Sequence, residues 1–306
     1  MQIWRYFIFV SILLLTFLQN PVIATASPTL TLTPIRSTAQ NFFTQGVEAT
    51  KKAKFSEASK LFTQAIQADS NFSSAYANRC LVEIELFDYS AAIADCSEAI
   101  KHQPENSEAY LNRGLAYYRS GQFQDAIDDF TQLIQTHPND LRAYFNRGLA
   151  LTSLTQFEAA ISDFDQALNQ APEDYPLTRA EIYIERGLAH LLQSNSFQAV
   201  ADLNQAIALS PDNDRAYFHR GCLHRRQGDF LAAIQDFDRA LQLNTNLPEA
   251  HLDRGVAHYN LGNTKQALID LHKAAQCFQN QGKVIAYQQT VNLIQKIRHS
   301  QEPTIA

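Results

Sequence analysis

The chain has 306 residues, with ten Gly and ten Pro, 45% hydrophobic residues and 18% charged ones. That balance excludes collagen-like and disordered chains and supplies ample apolar material for a core. A net charge of −6 gives no basic excess to hold a phosphate backbone, so no nucleic-acid partner is expected, and four Cys are too few for a disulfide-stapled miniature scaffold.

Residues 1–26 read as a secretory signal peptide. Arg5 supplies the positive start, Tyr6 to Leu18 an apolar run, and Ala24-Thr25-Ala26 the small residues of a cleavage site. The run is short for a bilayer core, which needs about 20 apolar residues. An uncleaved anchor is the alternative, because Ile3 and Trp4 lengthen the stretch across Arg5. No other segment is expected to span a membrane. Residues 27–38, rich in Ser, Thr and Pro, read as a flexible linker.

A period of 34 residues organises the rest. Seven small anchors, Gly46, Cys80, Gly114, Gly148, Gly187, Gly221 and Gly255, recur at that interval except for a step of 39 between Gly148 and Gly187. The five extra residues are expected in a loop, PEDYPLTRAE, where added length is cheap. Four residues before each anchor stands a ring: Phe42, Tyr76, Tyr110, Tyr144, Tyr183, Tyr217 and finally His251. Twelve after it is Ala in every unit, and sixteen after it Phe62, Cys96, Phe130, Phe164, Leu203, Phe237 or Leu271. Apolar spacing of three and four predicts helices, split into pairs by a break seven residues past the anchor. The small anchors are expected to face the small Ala and let the two helices of each pair approach closely. Neither helix can bury its face alone, so the pairs must stack.

This pattern resembles the tetratricopeptide repeat (TPR), of the kind exported by bacteria. The resemblance implies an all-α fold, a right-handed α-solenoid of seven helix hairpins over 39–282, starting near residues 39, 73, 107, 141, 180, 214 and 248. The chain departs from the family pattern in lacking Trp at the aromatic position and in carrying Cys80 at one anchor. After Gly282, the spacing of Val284, Tyr287, Val291 and Ile294 predicts a capping helix over 283–298 that covers the last apolar face, followed by a tail at 299–306.

Six units carry Arg just before the anchor and Asp sixteen residues later: Arg79 and Asp95, Arg113 and Asp129, Arg147 and Asp163, Arg186 and Asp202, Arg220 and Asp236, Arg254 and Asp270. The first unit has Gln45 and Leu61 instead. Charges that appear and vanish together are expected to be structural ion pairs across each hairpin; the rival reading is an anion-binding ladder. Cys80 and Cys96 share one hairpin and are expected to be buried free thiols, although an exported compartment permits a disulfide.

The resemblance places the first helix of each pair on a concave surface. Some family members hold a peptide backbone there with Asn two residues before the anchor, which carries over to Asn78, Asn112 and Asn146. Leu111, Phe145, Ile184 and Phe218, one residue earlier in their units, are expected either to line that groove or to pack between helices. His219, Arg225 and Arg226 form a candidate anion site, the alternative being that they are paired or solvated. No metal spacing, cofactor motif or catalytic constellation is present, so neither enzyme activity nor a cofactor is expected. The sequence thus points to an exported scaffold, periplasmic or otherwise extracytoplasmic, with a protein or peptide partner. A self-associating scaffold and a hydrolase with an unrecognised site are the alternatives, and the oligomeric state is left open.

Overall fold

The computed structural model describes residues 34–300, with side chains from Thr38 onward; the signal peptide, residues 27–33 of the linker and residues 301–306 of the tail lie outside the described residues. Fifteen helices and no strand are found among them, in two compact units that divide between Gln170 and Ala171.

The first unit contains four hairpins: α1 (Pro34–Lys51) with α2 (Phe55–Ala68), α3 (Ser73–Glu85) with α4 (Tyr89–His102), α5 (Ser107–Arg119) with α6 (Phe123–Thr136), and α7 (Leu141–Ser153) with α8 (Phe157–Gln170). The second contains α9 (Pro176–Leu192) with α10 (Ser196–Leu209), α11 (Asp214–Gln227) with α12 (Phe230–Leu243), α13 (Pro248–Asn260) with α14 (Thr264–Asn280), and a final helix α15 (Val284–His299). Each helix packs on the next within its unit, so both units are stacks of helix hairpins. The first helices of successive hairpins also touch, α3 on α5 and α5 on α7, α9 on α11 and α11 on α13, whereas the second helices stay farther apart. The first helices therefore form the inner face of each stack.

The turn inside every hairpin takes a left-handed residue seven past the anchor: Ala53, Phe87, Gly121, Thr155, Ser194, Gly228 and Gly262, with φ between +53° and +83°. Glycine meets that demand without strain at three of them; Thr155, branched at Cβ, does so at a cost. Side chains that accept from backbone N–H groups start several helices: Asp88 from Ala91, Asn106 from Ala109 and Asp229 from Ala232.

Three expectations need correction. At four Gly anchors the group faced is the ring sixteen further on, whereas Gly187 and Gly255 also meet the backbone of the Ala at twelve, Ala199 and Ala267. A Cβ built on Gly46, Gly114, Gly148 or Gly221 meets the ring of Phe62, Phe130, Phe164 or Phe237 at 2.6–2.7 Å, and those rings are wholly buried. The insertion between the fourth and fifth units lengthens a helix as well as a loop. Pro176 starts α9 at 17 residues against 13 in α3, α5 and α7, because its fixed φ suits a first turn. On α15 the buried residues are Thr290, Ile294 and Ile297, while Val284 stays 73% exposed, so the packed face is rotated from the one the spacing predicts. In addition, α1 starts at Pro34, within the stretch read as a linker.

Candidate functional site

The six Arg–Asp pairs build the frame. Each Arg donates Nε and Nη2 to the two carboxylate oxygens of its Asp, at 2.6–2.9 Å, in fork-to-fork geometry. The remaining Nη1 reaches back to the preceding hairpin. Arg79 donates to Thr63, Arg113 to Ser97, Arg147 to Thr131, Arg220 to Asn204 and Arg254 to Asp238, at 2.6–3.1 Å. Five of the guanidinium groups also lie 5.4–5.9 Å from the ring of the Tyr three residues earlier, within cation–π range. One Arg thus closes its own hairpin and ties it to its neighbour. These cations are already engaged by carboxylates, which leaves no free anion ladder.

The Cys80–Cys96 pair is a disulfide with Cα atoms 5.4 Å apart, correcting the expectation of free thiols. The physical reason is register: these are the two positions that Gly and Phe occupy, face to face, in four other hairpins.

On the inner face of the first unit, Asn78, Asn112 and Asn146 stand in one row on α3, α5 and α7, each at most 8% exposed. Asn78 donates to the Ser74 carbonyl and Asn146 to the Arg142 carbonyl, both at 2.8 Å and one turn back. A charged row runs on either side. Glu85 and Arg119 approach to 3.8 Å, and Arg142 donates to Glu108 at 2.8 Å and to Asp140 at 2.7 Å. Leu81 and Leu115, half-buried, lie on the same stripe. Leu111, Phe145, Ile184 and Phe218, one residue before each row position, are buried to a similar degree as the Asn row. Phe145 packs 5.8 Å from Phe164 and Phe218 6.0 Å from Phe237, while Ile184 joins a cluster with Ala206 of its own hairpin and Ala216 of the next.

In the second unit the same row reads Glu185, His219 and Asp253. Arg215, itself buried, donates to Glu181 at 2.6 Å and to Glu185, while Asn213 donates to Glu181 at 2.7 Å. Burial, with the Arg215 charge added, pushes His219 down to about 3, so it is neutral at ordinary pH. Arg225 lies 3.4 Å from Asp253, whose carboxyl burial pushes upward, and Arg226 donates to the Leu191 carbonyl at 2.9 Å. The candidate anion site is therefore not assembled: its histidine is uncharged and its arginines are engaged.

Sequence reasoning missed the row that joins hairpins end to end. Its signal is opposite charge at the repeat period: Glu85 and Arg119, Glu108 and Arg142, Glu181 and Arg215, and Glu249 and Lys283, the last pair 2.9 Å apart. Among the described residues no group of three or more His, Cys, Asp or Glu is placed to hold a metal, and no helix is long and apolar enough to cross a membrane.

Models of the tetratricopeptide repeat match residues 81–129 and 111–176, and a second TPR repeat model matches residues 223–262. No curated protein sequence matches the chain. A TPR protein from Parabacteroides merdae ATCC 43184 superposes with a TM-score of 0.69 at 16% identity, over 83% of this chain and 99% of that one. PilW, a widely conserved type IV pilus biogenesis factor, gives 0.63 at 21% identity, over 72% and 98%. A chain of the APC/C hetero-tetramer Cut9–Hcn1 gives 0.61 at 18% identity, over 72% of this chain and 42% of its own length. At these identities the likeness concerns the fold. The repeat matches, the neighbouring structures and the stacked hairpins together support the tetratricopeptide repeat family for this chain.

Proposed function

We propose that the protein is an exported, non-enzymatic scaffold that holds a peptide or partner protein on the inner face of its first unit, in an adaptor or assembly role. TPR proteins generally mediate protein–protein interactions, and the neighbour PilW is named as a pilus biogenesis factor. The observation that carries the reading is the row of Asn78, Asn112 and Asn146 between two charged rows. Where the amide nitrogen is spent on the helix carbonyl one turn back, as in Asn78 and Asn146, the amide oxygen is the group left to accept from a partner's backbone N–H.

The second unit fits that task less well, because Glu181, Glu185, Arg215 and Asn213 satisfy one another. Export is supported by the leader-like residues 1–26 and by the Cys80–Cys96 bridge, since disulfides persist in oxidising compartments. The test is a crosslinked pull-down from the exported fraction with the native chain and with Asn78, Asn112 and Asn146 changed to Ala. Loss of a specific partner in the triple variant supports the reading; retention of every partner refutes it.

A further inference from the structure

The last hairpin carries an imidazole where the other six carry a Phe or Tyr ring. Its aromatic position holds His251. In the second hairpin the corresponding Tyr76 stacks on His102, twenty-two residues past the anchor, with centroids 5.8 Å apart. The same two register positions in the last hairpin are His251 and Cys277. Both line a cleft of about 470 Å³ between α12, α13 and α14, together with Asp238, Arg254 and Lys273. Cys277 is a free, half-buried thiol.

His251 is 8% exposed, and its Nδ1 makes no hydrogen bond but lies 3.6 Å from Oδ1 of the fully buried Asp270. Nε2 is thus the nitrogen turned away from Asp270. Arg254 fixes that carboxylate through two N–H donors and also binds Asp238, so Lys273 supplies the further positive charge in the cleft. The other free cysteine, Cys222, provides the contrast. It donates to Asp253 at 3.4 Å, and burial, reinforced by that carboxylate, pushes its thiol well up.

We propose that Cys277 is a reactive thiol, with His251 as its base, that captures a small anionic disulfide by thiol–disulfide exchange. His251 Nε2 accepts the thiol proton while Asp270 stabilises the imidazolium. The Cys277 sulfur attacks one sulfur of the disulfide, a new S–S bond forms, and the other sulfur leaves as a thiolate that takes the proton. Cys277 is oxidised to a mixed disulfide and half of the incoming disulfide is reduced to a thiol, so atoms and electrons balance. The cleft has the volume of a small-molecule site, and Lys273 suits a carboxylate-bearing ligand. This inference does not depend on the partner-binding face.

The full chain is incubated with oxidised glutathione near neutral pH, quenched in acid, digested and quantified by mass spectrometry at each cysteine. Cys277 should be glutathionylated about tenfold or more faster than Cys222, and His251→Gln should lower the Cys277 rate by about tenfold or more, as expected for loss of a general base. His251→Tyr, which restores the ring of the other hairpins, should do the same. If both variants lose their helical circular dichroism, the native chain is compared with the urea-unfolded chain, and Cys277 must react faster when folded. Equal rates at the two cysteines, unchanged rates in a folded His251 variant, or a folded chain slower than the unfolded one would overturn the proposal.

Discussion

Gly114 stands where a side chain would collide with Phe130: a Cβ built on the glycine lies 2.6 Å from Cε1 of that ring. The ring is wholly buried and has no free side to retreat to. Gly114→Ala should therefore destabilise by about 1–3 kcal/mol through overpacking. Gly187→Ala should cost less, because its closest neighbours are 3.2 Å away and belong to Asp202 and Leu203. Urea midpoints of the two variants check the order.

Cys80 and Cys96 take the same two positions and replace a Gly–Phe contact by a covalent link over a separation of 16 residues. A link of that span contributes about 3 kcal/mol when loop closure in the unfolded chain is the main effect. Cys80→Ala with Cys96→Ala should lose roughly that amount, plus the cavity left behind. Cys80→Gly with Cys96→Phe should recover much of it, because four other hairpins use that pair. Thermal unfolding of the three proteins under oxidising conditions decides.

Arg147 and Asp163 share two N–H···O bonds of 2.8 Å, with the carboxylate almost wholly buried. Asp163→Ala strands the guanidinium and should cost about 3–5 kcal/mol, whereas Arg147→Gln with Asp163→Leu, copying the first hairpin, should cost much less. Equal losses in denaturant unfolding would contradict the pairing as the source of stability.

His219 makes stability depend on pH. Folded, it stays neutral down to about 3, because burial and Arg215 both oppose its charge; its ordinary value is 6.5. Between those values the unfolded chain binds one more proton, so this residue's contribution falls as pH drops below 6.5, by about 1.4 kcal/mol per pH unit. His219→Leu should remove one proton's slope from a plot of unfolding free energy against pH between about 6.5 and 4. An unchanged slope would show that His219 takes its proton while folded.

The hairpins were legible in the sequence because each anchor, ring and Ala repeats at one period, and periodicity reports packing that every unit shares. The Arg and Asp partners were legible for the same reason, since they vanish together from the first unit. What faces each glycine was less so: the Ala at twelve and the residue at sixteen lie one turn apart on the same helix, and only coordinates place the Phe130 ring over Gly114. The disulfide shares that ambiguity, as spacing alone does not bring Cys80 and Cys96 to bridging distance. On α15, apolar residues occur on more than one side, so the spacing of Val284 and Tyr287 pointed to a face that the structure rotates toward Thr290 and Ile297. Within the candidate site, the Asn row was visible, but the contacts of Phe145 with Phe164 and of Phe218 with Phe237 join two helices and are not set by spacing along one of them. The Glu108–Arg142 contact crosses hairpins and shows only when charges are compared one repeat apart.

The claim that the first unit holds a partner on its inner face is tested most directly by site-specific photocrosslinking in the exported fraction. A photoreactive residue replaces Leu115, on the inner stripe, or Asp128, exposed on α6. A discrete adduct should form from position 115 and disappear when Asn78, Asn112 and Asn146 are changed to Ala, with none of that size from position 128. An adduct formed only from position 128, or one from position 115 that survives the triple change, would contradict that claim.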